Sequence, residues 1–166
     1  MKYFTPSEAV KFINSGESVY IQGSTSIPEV LCKALADRGD ELRDVTIYAA
    51  FAVGRCEAPF CRPEYKDSFN IKSLFVANNI RKWLAAGYGS TIPAFLGEIP
   101  GLFRDGTLPL DAVFLNVSQP NDEGYCSFGV SADLAVSAVE CASKVIVQVN
   151  KAMPFSYGDA LIHVSR

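Results

Sequence analysis

No stretch of this sequence approaches the roughly eighteen unbroken apolar residues that a membrane-crossing helix needs, so nothing in it reads as a span. The opening residues, Met1-Lys2-Tyr3-Phe4-Thr5-Pro6, lack the apolar core of a signal peptide. Histidine occurs once, as His163, and the five cysteines (Cys32, Cys56, Cys61, Cys126 and Cys141) contain no C-x-x-C pair. A Cys/His zinc site or any other metal site is therefore not expected, and the cysteines read as reduced thiols of a cytoplasmic protein. Neither G-x-G-x-x-G nor a P-loop occurs, which argues against a nicotinamide enzyme and an NTPase. Basic charge is not in excess either: 15 Lys and Arg stand against 18 Asp and Glu, a net −3. No broad positive field exists to draw in nucleic acid or anionic lipid.

What is present is an ordinary globular balance, 49% hydrophobic and 20% charged over 166 residues, enough for one domain with a real core. Thr5, Pro6 and Glu8 form a capping box with proline in the first turn, and Ala9, Val10, Phe12 and Ile13 read as the inward stripe of the helix that follows. Val19 to Gln22 reads as a strand. A helix is expected from about Pro28 to Gly39, with Val30, Leu31, Ala34 and Leu35 inward. Val45–Ala50, Phe69–Val76, Asp111–Val117 and Val145–Val149 read as further strands. Helices are expected over Asn78–Ala86, over Pro93–Phe103 with an interruption at Pro100, and over Ser131–Ala142; Gly54 to Asp67 reads as irregular. Strands alternating with helices imply an α/β domain with a largely parallel sheet covered on both faces.

Ligands of such sheets gather beyond the carboxyl ends of the strands. Three segments hold that position. Gln22 to Pro28 offers Gly23, where the backbone turns or approaches a ligand closely, the hydroxyls of Ser24, Thr25 and Ser26, and the N–H groups of a helix start. That is an anion or oxyanion site or a local helix cap, and from pattern alone the cap is the stronger reading. Ser118 to Gly129, with Gln119, Asn121, Gly124 and Tyr125, is either a ligand-facing loop or a solvated turn, and the pattern balances the two. Asn150 to Pro154 brings Lys151 toward a phosphate or carboxylate, although a surface lysine is the stronger reading. His163 has no nucleophile elbow near it and reads as structural, and Cys126 has no flanking charge to lower its pKa.

Four segments taken in order resemble one known family. Phe95-Leu96-Gly97-Glu98-Ile99-Pro100-Gly101-Leu102-Phe103 resembles its LSEIPRLF segment, and Leu108-Pro109-Leu110-Asp111-Ala112-Val113 its LPLDVAL. Gly124 to Ser131 resembles GYCSLGVS, and Val145 to Pro154 resembles VIAQVNKQMP. The family is that of acetyl-CoA hydrolases and transferases, in the branch of the 4-hydroxybutyrate and butyrate–acetate CoA-transferases, and the likeness covers nearly the whole sequence.

The resemblance implies a CoA-transferase-like, three-layer α/β/α domain over residues 1–166, the N-terminal half of a two-domain subunit with its active site between the halves. It implies no permanently bound cofactor, with acyl-CoA and a short-chain carboxylate as substrates, and a dimer as the complete assembly. In the implied reaction a glutamate of the C-terminal half attacks the thioester, so no catalytic residue is expected in this chain; Glu98 sits in a helical segment that reads as structural, and Glu29, Glu57, Glu123 and Glu140 lack motif support. This half is expected to supply a wall of the site: Gly23 to Ser26 near the acyl carbonyl, Gln119, Asn121, Gly124 and Tyr125 on the substrate side, and Asn150 and Lys151 beside them. Ser24 stands where the family often has a second glycine, Asn121 where it has aspartate, Glu123 where it has histidine, and Phe155-Ser156 where it has Arg-Thr. A hydrolase, in which water ends the sequence, and a non-catalytic CoA-binding or assembly domain are the alternatives. A sugar-phosphate isomerase shares only the broad fold type.

Overall fold

The computed structural model describes residues 2–50 and 59–166. Its centre is a six-stranded parallel sheet with the strand order β4-β3-β2-β1-β5-β7. The strands are β1 (Ser18–Ile21), β2 (Val45–Ala49), β3 (Phe69–Ser73), β4 (Gly89–Thr91), β5 (Ala112–Val117) and β7 (Lys144–Val149). A separate antiparallel pair joins β6 (Tyr125–Ser127) to β8 (Leu161–His163). The helices are α1 (Pro6–Ala9), α2 (Glu29–Ala36), α3 (Asn78–Ala85), α4 (Ile99–Arg104) and α5 (Ala135–Cys141).

Alternation along the central strands builds two cores, one on each face of the sheet. Val19, Ile21, Val45, Ile47, Phe69, Ile71 and Phe114 pack with α1, α2 and α3. Tyr20, Tyr48, Val113, Leu115 and Val117 pack with α4, α5, β6 and β8. The result is the expected three-layer α/β/α arrangement. β5 is buried along its whole length, which accounts for its apolar sequence, broken only at Asn116. Phe114, fully buried between β1 and β7, is the kind of side chain whose truncation to alanine costs about 3–5 kcal/mol.

Local chemistry sets several boundaries. The capping box forms: the Glu8 N–H donates to Thr5 Oγ1 at 3.3 Å, and the Thr5 N–H to Glu8 Oε2 at 2.8 Å. The helix it starts passes into a 3₁₀ turn at Val10–Phe12, and this turns Phe12 outward, 48% exposed, contrary to the stripe expected for it. Val30 is likewise outward, 50% exposed, while Leu31, Cys32, Leu35 and Ala36 face the core. Pro100 does not interrupt a helix. It lies in the first turn of α4, where a missing N–H is harmless, and the four residues Phe95 to Glu98 stand before that helix as a turn.

Among the described residues no helix is long and apolar enough to cross a membrane. Cys32, Cys61, Cys126 and Cys141 are in no disulfide among the described residues, while Cys56 and Glu57 lie outside the described residues, as does part of the expected irregular stretch from Gly54 to Asp67.

Candidate functional site

From β1 the chain passes outward through β2, β3 and β4 in one direction, whereas β5 and β7 extend the sheet in the other. The order therefore reverses between β1 and β5, and the connections leaving these adjacent strands diverge to opposite faces. Open α/β sheets form their ligand crevice at such a reversal. The two segments singled out in the sequence, 22–28 and 118–129, leave the sheet there.

Gln22 ties them together. It is fully buried at the end of β1. Its Oε1 accepts the Asn116 N–H of β5 at 2.7 Å, and its Nε2 donates to the Ser131 carbonyl at 2.6 Å. Both ends of one amide are thereby used, which is what a buried polar side chain requires. A polar residue closing the apolar run Val19-Tyr20-Ile21 was the available signal for this role, and the sequence pattern gave it only as the boundary between strand and loop.

In the first segment Gly23 and Ser26 are buried, Ser24 is half-buried and Thr25 is exposed. Ser24 has φ +56°, in the left-handed region that side chains other than glycine adopt at a cost of roughly 1–3 kcal/mol. The family's glycine at this position would carry no such strain. The helix start is less open than the sequence suggested: the Glu29 N–H goes to the Ile27 carbonyl at 3.0 Å, and the Val30 N–H to Oε1 of Gln148 on β7 at 3.1 Å. Two buried oxygens near the strand ends, Ser26 Oγ and Asn116 Oδ1, have no hydrogen-bond partner among the described residues.

The second segment folds back on itself. Ser118 exchanges backbone and hydroxyl hydrogen bonds with Ser127, each 2.9 Å, and Asn121 Oδ1 accepts the N–H groups of Glu123 and Tyr125 at 3.1 and 2.8 Å. An aspartate would hold this turn in the same way, so the Asn121 departure leaves the loop intact. Gln119 and Tyr125 are exposed. Gly124 has φ +83°, and a Cβ there would come within 2.8 Å of His163 Nε2. His163 holds the loop from β8: Nε2 faces the Glu123 carbonyl at 3.2 Å and Nδ1 faces Ser165 Oγ at 2.7 Å. A carbonyl accepts only, so Nε2 carries the proton and Nδ1 accepts from Ser165. This is a structural role.

The third segment joins the second. The Asn150 N–H donates to the Val117 carbonyl at 2.8 Å, and Asn150 Oδ1 accepts the Ala152 N–H at 2.9 Å, so that side chain shapes its own turn. Met153 lies against Gly129, whose φ is +68° and whose missing Cβ makes the approach possible. Ser127 Oγ accepts the N–H groups of Gly129 and Ser156, both at 3.0 Å, and Ser156 Oγ donates to the Gly129 carbonyl at 2.8 Å. Ser156 thus supplies a hydroxyl where the family has threonine. Phe155 has no such continuity with arginine and packs its ring against Tyr157 at 5.2 Å. Lys151 is exposed and in no ion pair among the described residues.

Hydrogen bonds and packing link the three segments in series, and none of the described glutamates is aimed into them as a free carboxylate. Glu98 accepts the Phe95 N–H at 3.1 Å, Glu140 pairs with Arg104 at 2.8 Å, and Glu29 and Glu123 are exposed. Burial pushes the Cys126 thiol pKa up, away from the thiolate. Among the described residues no cluster of three His, Cys, Asp or Glu side chains is arranged to hold a metal ion.

The model of the acetyl-CoA hydrolase/transferase N-terminal domain matches residues 1–166. The 4-hydroxybutyrate coenzyme A transferase of Clostridium kluyveri is 35% identical over 164 residues, which cover 99% of this chain and 38% of that protein. The succinyl-CoA:acetate/propanoyl-CoA:succinate CoA transferase of Fasciola hepatica is 34% identical over 160 residues, 95% of this chain and 33% of that protein. Among solved structures, RipA from Yersinia pestis superposes with a TM-score of 0.88 at 29% identity, over 98% of this chain and 40% of that one. The chain thus spans little more than a third of the length of the curated relatives it matches.

Proposed function

The chain belongs to the family described by the acetyl-CoA hydrolase/transferase N-terminal domain, and from that premise we propose that it is one wall of a CoA-transferase active site whose attacking carboxylate comes from further polypeptide. The observation that carries this reading is that Gln22, at the head of segment 22–28, is bonded to Asn116 and Ser131, which bracket segment 118–129, at the reversal of strand order. The wall presents backbone from Gly23 to Ser26, and the side chains of Gln119 and Tyr125 face solvent beside it. Asn121, Gly124 and Asn150 hold the shape of the wall, and Lys151 lies at its margin in no ion pair among the described residues.

In the proposed reaction a glutamate carboxylate attacks the acyl-CoA carbonyl. The C–S bond breaks, CoA leaves as thiolate, and an acyl–glutamyl anhydride remains. The thiolate attacks the glutamyl carbonyl, releasing the first carboxylate and leaving a glutamyl-CoA thioester. An acceptor carboxylate then takes the CoA by the same two steps in reverse, which restores the glutamate. Acetate, butyrate and 4-hydroxybutyrate are acids of the proposed class. The contribution of this chain is to orient the thioester and to place N–H donors near its carbonyl oxygen.

The test compares the 166 residues alone with a chimera in which they are continued by the C-terminal portion of the Clostridium kluyveri relative. The isolated chain is expected to give no hydroxylamine-trapped acyl-enzyme, while the chimera transfers CoA from acetyl-CoA to butyrate. An acyl-enzyme trapped on the isolated chain overturns the assignment of the nucleophile elsewhere. Acetyl-CoA breakdown by the chimera that is indifferent to added acid marks a hydrolase, and binding without turnover marks an assembly domain.

A further inference from the structure

The sheet is finished on one side only. β4 is a three-residue strand, which blunts that edge, whereas β7 is a six-residue strand with every residue half-buried and nothing paired to its outer side among the described residues. The Lys144 and Asn150 N–H groups donate inward to Asp111 and Val117 of the β5 side at 3.0 and 2.8 Å. In a parallel ladder the direction alternates, so the N–H groups of Val145, Val147 and Val149 point away from β5. A cavity of about 520 Å³ runs along this edge. Phe4, Phe12 and Val30 flank it on the face of α1 and α2, and Ile162 and Val164 flank it on the other face. Its lining includes Lys2 and Arg166 and no acidic side chain, in a chain of net charge −3.

We propose that the outer edge of β7 is the seat of an added β-strand, apolar on both faces and acidic at its ends, supplied by the polypeptide that makes up the remainder of the relatives' subunit. The proposal rests on the reading of this chain as one part of a larger transferase. Three observations select this occupant. The edge offers a row of unpaired backbone groups, which a strand satisfies and a small ligand does not. The flanks on both faces are apolar, so the incoming strand is covered from above and below, as strands inside an α/β sheet are. The relatives matched at 34% and 35% identity have more than 60% of their length outside the matched part, so such polypeptide exists to fill it. The exposed Phe12 and Val30, anomalous for these 166 residues alone, become core residues once the strand is in place.

Hydrogen exchange read at single residues tests this. In the isolated chain the Val145, Val147 and Val149 amides are expected to exchange about 100-fold or more faster than the inward Ile146 amide. Protection of those three in the dilute monomer would mean that the edge is already closed and overturns the proposal; so would a dimer that protects them as concentration rises, because the occupant would then be a second copy. In the chimera described above the three amides become slow. Val147→Pro removes one outward donor, which an edge strand tolerates, so the isolated chain keeps its circular dichroism while the chimera loses the protection and becomes sensitive to protease at the junction. The intact Clostridium kluyveri relative gives a check free of any chimera: protection at the positions aligned with Val145, Val147 and Val149 supports the seat, and fast exchange there overturns it. A chimera that transfers CoA with these amides still open sinks the edge proposal and leaves the wall standing. One that protects the edge without transferring CoA does the reverse.

Discussion

The side-chain nitrogen of Gln22 lies 2.6 Å from the carbonyl oxygen of Ser131, a contact between residues 109 apart in sequence. With the Asn116 N–H on its other end, this amide fixes the distance between the two strand-end segments. Gln22→Leu keeps the volume and leaves a buried N–H and a buried C=O without partners. The expected loss is about 3 kcal/mol, at roughly 1–3 kcal/mol for each orphaned group. Urea unfolding should show a lower midpoint at unchanged slope.

Ser24 is predicted to be a site where glycine stabilises. At φ +56° the substitution Ser24→Gly relieves left-handed strain, and the added freedom of the unfolded chain offsets part of the gain. The net expectation is roughly 0.5–1 kcal/mol of added stability, and Ser24→Val should lose more than that because β-branching worsens the same conformation. Thermal melts of the three proteins give the order Gly, Ser, Val.

Gly129 and Met153 should behave as a coupled pair. Gly129→Ala places a methyl group against the Met153 thioether at φ +68°, and a loss of about 2 kcal/mol or more is expected. Adding Met153→Ala removes the clash but not the backbone strain. The double variant should therefore recover part of the loss, and a double-mutant cycle measures that coupling.

Acid stability should depend on Glu17. Burial opposes its charge, but hydrogen bonds from Lys144, at 2.5 Å, and from Asn14, together with the Lys144 charge, outweigh this and hold its pKa below the usual carboxylate value. A carboxylate depressed in the folded state stabilises above its unfolded pKa, and that contribution is lost as pH falls through the folded value. Stability should fall from about pH 4.5 downward, and Glu17→Gln should make that fall shallower while lowering stability at neutral pH.

The sequence made local chemistry and long apolar runs legible. The Thr5/Glu8 capping box is complete within four residues, and β2 and β5, buried inside a parallel sheet, and β7, at its edge, announce themselves by runs rich in Val, Ile and Phe. Gly89–Thr91 and Tyr125–Ser127 did not show, because three-residue strands of mixed polarity are made by their partners, β3 and β8, and not by propensity. The segments of the wall were located by their place after strands. The work of their residues was not, because Asn121 and Asn150 spend their carbonyl oxygens on neighbouring backbone, and Ser127 is committed to Ser156, 29 residues away. Phe12 and Val30 were misread for a related reason: helical spacing shows which side of a helix is apolar, not whether something lies there to receive it.

The placement of β1 beside β5 sets the order in which this protein can be completed during synthesis. β1 is made early, yet its register partners Ala112, Val113 and Phe114 follow nearly a hundred residues later. A nascent chain emerging from the ribosome therefore pairs β1 with β2, and β2 with β3, while the other edge of β1 stays bare, and the nucleus closes only when β5 arrives. Gly23 and Ser24 border that bare edge, so the half-made sheet is most vulnerable to aggregation where the finished one is proposed to meet its substrate.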